Sequence, residues 1–462
     1  KSKEDETFDV IGEYWLSAVD MDFGSEDFGQ DLYSLGVGTF HNFARNYLDI
    51  LVANTELKGG FELGSHFFQW GAKYQREEIS DTINEWMRLD SAGYSLAYST
   101  DQVLLYNVLK TGADLSSSRF SGYLQDRWIY TMKDTGLLTV TGGLRYQYWD
   151  LNDELLISPR FQLSYRPKWR RNITLYTANG VYYQPAFYRE LRDQYGNVNT
   201  NIKAQRSIHL TAGSEVVLKA WGRRFRFATD LYYKFLDNLI PYEVDNVRIR
   251  YYAENIAKGY ATGIDLRLHG EFVQDAESWI SLSILKTQED IEGDFYYNYY
   301  DTTGQKVNPF IVSAEAIADS QRVEPGYIPR PTDQRVNFGM YFQDYLPGNK
   351  NFKMHLNFLF GTGFKFGPPD FSRYKDTLNI PPYRRVDLGF SALLLDGKKE
   401  RVQASKWGKH FRSIWASLEI FNLLQVSNTV SYIWVRDIGS TQYAVPNFLT
   451  SRRINLRLIA KF

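Results

Sequence analysis

Carboxylates, imidazoles and aromatic rings are the groups in this chain that could act on a ligand, and their spacing decides among the uses. There is no cysteine, which removes thiol nucleophiles, thiolate metal ligands and disulfides. The six histidines, at 41, 66, 209, 269, 355 and 410, are scattered without metal-ligand spacing. His209, His269 and His355 fall where a polar ring simply faces water. No nucleophile elbow and no phosphate-cradling glycine loop is present. The chain therefore reads as a non-enzyme.

Three groupings remain. Asp20, Asp22 and Asp27 alternate around a glycine in Asp20-Met-Asp-Phe-Gly-Ser-Glu-Asp27, a donor set that suits a hard cation such as Ca²⁺. The full twelve-residue loop with its closing Glu is lacking, so a solvated acidic loop is the competing reading. Phe295, Tyr296, Tyr297, Tyr299 and Tyr300 crowd one polar stretch. They suit stacking against a ligand or partner, or packing of that stretch against its neighbours. Arg145, Arg160, Arg166, Arg206 and Arg267 recur in segments of strict alternation. They could hold carboxylates and carbonyls of another segment, or pair with Asp265, Glu215 and Glu271.

The elements that must position these groups are strands. In 352–360, Phe352, Met354, Leu356, Phe358 and Phe360 alternate with Lys353, His355 and Asn357. In 264–272, Ile264, Leu266, Leu268 and Phe272 alternate with Asp265, Arg267, His269 and Glu271. The last ten residues repeat the pattern: Ile454, Leu456, Leu458, Ala460 and Phe462 against Arg453, Asn455, Arg457 and Lys461. Side chains alternate across a strand, so each segment has one oily and one wet face. Sixteen such segments can be read: 8–17, 49–63, 66–79, 116–131, 136–149, 154–166, 171–182, 205–219, 223–235, 258–273, 276–288, 332–346, 351–361, 383–394, 410–424 and 449–462. Each reaches the ~9–11 residues that a tilted strand needs to cross a bilayer. Their connections alternate long and short, except that 150–153 is short and 395–409 long where the opposite is due. Short turns at one end and long loops at the other is the pattern of an outer-membrane barrel, apolar side to lipid and polar side to an aqueous lumen.

Composition agrees. The chain has 462 residues, 44% hydrophobic and 23% charged, so it is not disordered by composition. A net charge of −1 gives no pull towards nucleic acid. The mean hydropathy of −0.41 and the absence of any apolar run near ~20 residues exclude a helical membrane protein. The 34 Tyr, 30 Phe and 11 Trp suit interfacial girdles. No signal peptide opens the chain, so an exported protein must have been processed or cut.

Several stretches resemble the barrel of TonB-dependent outer-membrane receptors of the Bacteroidota type. These are Ser158-Pro-Arg160, Gln184-Pro-Ala-Phe-Tyr-Arg-Glu-Leu191, Tyr232-Tyr-Lys-Phe-Leu-Asp-Asn-Leu-Ile240, Lys258-Gly-Tyr-Ala-Thr-Gly-Ile-Asp-Leu266 and Glu419-Ile-Phe-Asn-Leu-Leu424. The terminal Phe462 resembles the assembly signal read by the outer-membrane barrel assembly machinery. The resemblance implies an all-β transmembrane antiparallel barrel of about 22 strands around a plug. Residues 1–462 would supply about sixteen of those strands, roughly the seventh to the last. The plug, the first strands and the energy-coupling segment would precede Lys1. It also implies import of a nutrient ligand driven by the TonB complex, in the bacterial outer membrane, with a periplasmic C-terminus. Surface lipoproteins are partners in related systems. On this reading Arg145, Arg160, Arg206, Asp265 and Arg267 face the lumen or plug. A scaffold in an outer-membrane assembly and a passive sixteen-stranded porin are the competing expectations.

Overall fold

Sixteen long strands follow one another as an antiparallel meander, each paired with the next. The computed structural model describes residues 1–19, 31–90, 105–133, 135–245, 248–273, 276–307, 314–346, 349–367, 377–436 and 442–462. The strands are β1 (Ser2–Val19), β2 (Asp31–Leu63), β3 (His66–Asp90), β4 (Asn107–Met132), β5 (Gly136–Trp149) and β6 (Glu154–Pro167). There follow β7 (Asn172–Gln184), β8 (Gln205–Ala220), β9 (Arg223–Leu239), β10 (Ala257–Val273) and β11 (Ala276–Ile291). The last five are β12 (Val336–Leu346), β13 (Asn349–Gly361), β14 (Tyr383–Asp396), β15 (Ser413–Phe421) and β16 (Arg453–Lys461). Among the described residues β1 and β16 are the two ends of this sheet and do not pair with each other.

The register sorts the side chains. Ile454 of β16 faces Ile420, which faces Leu388, then Leu356 and Phe342. The neighbouring row carries Asn455, Glu419, Gly389 and His355. Exposure is inverted relative to a water-soluble sheet. Ile454, Leu456 and Leu458 are 71%, 78% and 67% exposed. Leu57, Leu124, Leu155, Leu231 and Phe352 are exposed likewise. The solvent-accessible area is 28573 Å² for 53.8 kDa, against about 18,000 Å² for a compact monomer of that mass. The chain is a single-layer wall with two accessible faces, not a sandwich around a dry core.

One end of the wall has tight turns. Gly64-Ser65 joins β2 to β3, and Trp221-Gly222 joins β8 to β9. Trp221 and Gly222 hold φ of 51° and 73°, the pair of positive values that a type I′ hairpin requires. The β14–β15 connection is the exception expected from its length; it contains the short helix Glu400–Gln403.

The strand bounds correct the sequence reading in one region. Segments 18–48 and 80–115, expected as loops, contain long parts of β2, β3 and β4. Strand β2 runs 33 residues, far beyond a bilayer crossing. On the Asp31 side of Asp49 the clean alternation stops because polar residues fall on both faces, Asn42 and Asn46 on one, His41 and Arg45 on the other. There Lys1 and Lys3 meet Asp49 at 3.2 and 3.3 Å, and His41 Nε2 lies 2.5 Å from Asp9. With no oily face to mark them, these extensions look like loop.

Candidate functional site

Two features share the polar face and the long-loop end: a lining of charged side chains along the wall, and loops that fold over it. On the wall, Arg145 of β5 lies opposite Ser158 of β6, and Arg160 lies opposite Gly143 and Gly180. The Arg160 guanidinium sits 4.4 Å from the Tyr182 ring centre, and Tyr182 stacks on His209 at 4.2 Å. Lys234 faces His209 across the β8–β9 pair. Nearer the short-turn end, Asp230 and Asp265 are direct cross-strand neighbours. Tyr176 reaches across Gly213 and donates its hydroxyl to Asp230 at 2.5 Å. Arg267 follows Asp265 on the same face.

The sequence placed Arg206 with this group, but the register turns it the other way. Arg206 shares its face with Ile208 and Leu210, and it donates to Asp237 at 2.7 Å. Arg206 is the second residue of β8 and Asp237 lies near the end of β9, so the pair sits at the strand ends.

The loop after β7 is built on residues 185–204. Ala186, Leu191 and Ile202 pack with Trp149, Ile240 and Ala253 into a small buried cluster. Arg119 clamps it: its guanidinium lies 4.0 Å over Trp149, donates to the Ala186 carbonyl at 3.2 Å and approaches Glu77 at 3.4 Å. Arg192 pairs with Asp81, and Thr111 donates to the Gly196 carbonyl at 2.9 Å, so the extensions of β3 and β4 grip the loop. The hairpin formed by Tyr242–Asp245 and Arg248–Tyr251 reaches farther. Arg248 pairs with Glu85 of β3 and lies 4.7 Å over Phe8 of β1. Loops rising from β7–β10 thus reach β1 and the extended ends of β3 and β4.

Inside this assembly Glu190 is 5% exposed and accepts from the Phe187 amide and the Gln205 side chain, each at 3.1 Å. Burial pushes its carboxyl above the usual range. Burial, reinforced by the Glu190 charge, pushes the Tyr251 hydroxyl up to about 12.

The longest connection, between β11 and β12, carries the aromatic stretch. Tyr296–Tyr300 pairs with Lys306–Val307 and Asp319–Val323 in a three-stranded sheet. Alternation splits the rings: Phe295, Tyr297 and Tyr299 contact one another at 5.8 and 6.3 Å, with Arg322 4.2 Å over Phe295. Tyr300 instead donates to Gln321 at 3.2 Å, and Tyr296 lies opposite Val323. The return of this connection is pinned by Asp333, fully buried, which accepts from the Thr287 amide at 2.8 Å and from Arg335 at 2.9 Å. Beside it Arg330 pairs with Glu289 at 3.0 Å. Alternation does not reveal this cluster; its signal in the sequence is the dense Arg330-Pro-Thr-Asp-Gln-Arg335, charges next to proline just ahead of a strand. Asp20, Asp22 and Asp27 lie outside the described residues. Phe462 is 84% exposed and contacts Phe411 at 4.8 Å.

Residues 7–418 match the family model described as TonB dependent receptor-like, beta-barrel. The chain belongs to that family. The match runs through nearly every strand of the wall, so the TonB-dependent receptor fold accounts for the meander as a whole. Among solved structures, the outer-membrane transporter YddB of Escherichia coli is 13% identical, with a TM-score of 0.52, over 97% of this chain and 58% of that one. The ferric-catecholate import receptor Fiu of E. coli K12 is 11% identical, with a TM-score of 0.52, over 98% and 60%. The RagAB peptide importer is 11% identical, with a TM-score of 0.51, over 91% and 56%. At these identities the likeness is one of fold. This chain spans 56% to 60% of the length of those three receptor chains. No curated protein sequence matches it.

Proposed function

We propose that this chain forms the wall of an outer-membrane importer that takes up a nutrient ligand with energy from the TonB complex. One observation carries the reading: in a TonB-dependent receptor wall, apolar rows are exposed on one face and charged rows line the other. Such a wall suits hydrocarbon on one side and a wet passage on the other. The long-loop end would face the outside and the C-terminus the periplasm. Phe295, Tyr297 and Tyr299 would meet the ligand first, because they form a stripe on the loop sheet beside Arg322. The inner charges would guide the ligand or hold a plug. No bond of the ligand is made or broken by this chain. Phe462 would mark the last strand for the barrel assembly machinery.

Uptake in cells tests the proposal. The ligand is found by growth rescue, and its import is compared with and without TonB. Import that stays at the normal rate without TonB would sink the reading. The Tyr297→Ala variant should weaken uptake at low ligand concentration while leaving the protein in the outer membrane.

A further inference from the structure

We infer that the inner face around Arg145 and Arg160 is a binding site for a small oxyanion, a carboxylate or phosphate carried by the ligand. The inference names a ligand class for the importer read above and takes its biological meaning from that reading; the binding chemistry stands without it.

The two guanidiniums come from adjacent strands. Arg160 faces Gly143, and Arg145 lies two residues further along the same strand, so they are diagonal neighbours. Such positions lie roughly 7–8 Å apart, within reach of long side chains converging on one anion. Glycine on both sides of Arg160 keeps the approach free. A Cβ at Gly180 would come within 3.2 Å of the Arg160 side chain, so the arginine stem uses the space that glycine leaves. The Tyr182 ring supports the guanidinium from one side.

Among the described residues the wall supplies no counterion there. Among the described residues Arg145 has no ion pair or hydrogen bond, and the recorded partner of Arg160 is the Tyr182 ring. Lys234, one strand beyond His209, contacts the Tyr232 ring at 5.1 Å and adds positive charge. The closest inward carboxylate along β9 is Asp230, four residues away, or ~13 Å at the rise of a strand. Asp230 is also already engaged by Tyr176. Glu154, nearer in sequence, accepts from the Ala204 amide at 2.8 Å and from Asn152 at 3.3 Å.

The space is of ligand size. A pocket of about 350 Å³ is lined by Arg145, Gln147, Ser158, Arg160 and Gln184, with Pro185 at the start of the crossing loop. That volume lies within the ~300–1,000 Å³ range of small-molecule sites. Two unpaired guanidinium forks with amide and hydroxyl donors around them form a donor set without acids, which selects an oxyanion over a cation or a neutral sugar.

The test uses the full-length protein in non-ionic detergent, titrated calorimetrically with pyrophosphate and with glucose as the neutral probe. We expect saturable pyrophosphate binding that weakens with salt, and none for glucose. The R145Q/R160Q double variant should bind pyrophosphate at least tenfold more weakly. The R145K/R160K variant keeps the charge, loses the bidentate fork and should fall between; it guards against a folding defect. Equal pyrophosphate binding by wild type and R145Q/R160Q overturns the site. So does failure of the wild-type protein to bind pyrophosphate, the outcome if an acidic protein segment fills the pocket. Intact pyrophosphate binding with TonB-independent uptake overturns the importer reading and leaves the site standing.

Discussion

Replacing Leu456 by arginine discriminates between a lipid-facing and a water-facing wall. Leu456 is 78% exposed and sits near the middle of the nine-residue strand β16, between Ile454 and Leu458. If that face meets hydrocarbon, the position is near the bilayer midplane. An arginine there costs about 2–4 kcal/mol, a shift of roughly 30- to 900-fold in the folding equilibrium. If the face met water, an exposed Leu→Arg change would stay within about 0.5 kcal/mol. Ser283→Arg is the matched control: Ser283 lies on the polar face opposite Asp265, where a new guanidinium finds a carboxylate and water. Urea-dependent folding into phosphatidylcholine vesicles reads both variants. L456R should lose about 2–4 kcal/mol, and S283R should stay near wild type. Equal small losses for the two would refute the sidedness on which the membrane reading depends.

Three further outcomes are expected. Burial raises the Glu190 carboxyl pKa above its unfolded value, so its protonated form favours the fold: that contribution is complete below the unfolded value near 4.5 and disappears as pH rises through the folded one. The melting temperature of wild type relative to E190Q should therefore fall as pH is raised from 4 to 8, and a constant difference would contradict the assignment. At Gly213 a Cβ would meet the Tyr176 ring at 2.4 Å, so Gly213→Val should displace that ring, break its bond to Asp230 and cost about 1–3 kcal/mol in urea unfolding. Removing the Arg119 clamp by Arg119→Ala should speed hydrogen exchange in 185–204, while the strand amides of β12–β15 keep their protection.

The sequence alone determined the strand type, the number of long strands and the two-ended arrangement of the connections. Period-2 alternation survives wherever one face is oily and the other wet, and a bilayer imposes that condition on every crossing. The same rule places Arg206 with Ile208 and Leu210 by parity, against the expectation that residue type suggests at a strand end. Only the tertiary structure decided what lies beyond the bilayer. The extensions of β2–β4 carry polar residues on both faces, so no local pattern distinguishes them from loop. The grip of Arg192 on Asp81 and of Arg248 on Glu85 joins residues 111 and 163 positions apart. The oxyanion cradle likewise depends on which strands are neighbours and on the glycines opposite Arg160. Such contacts follow from the curvature and register of the whole wall, and no single strand's sequence encodes them.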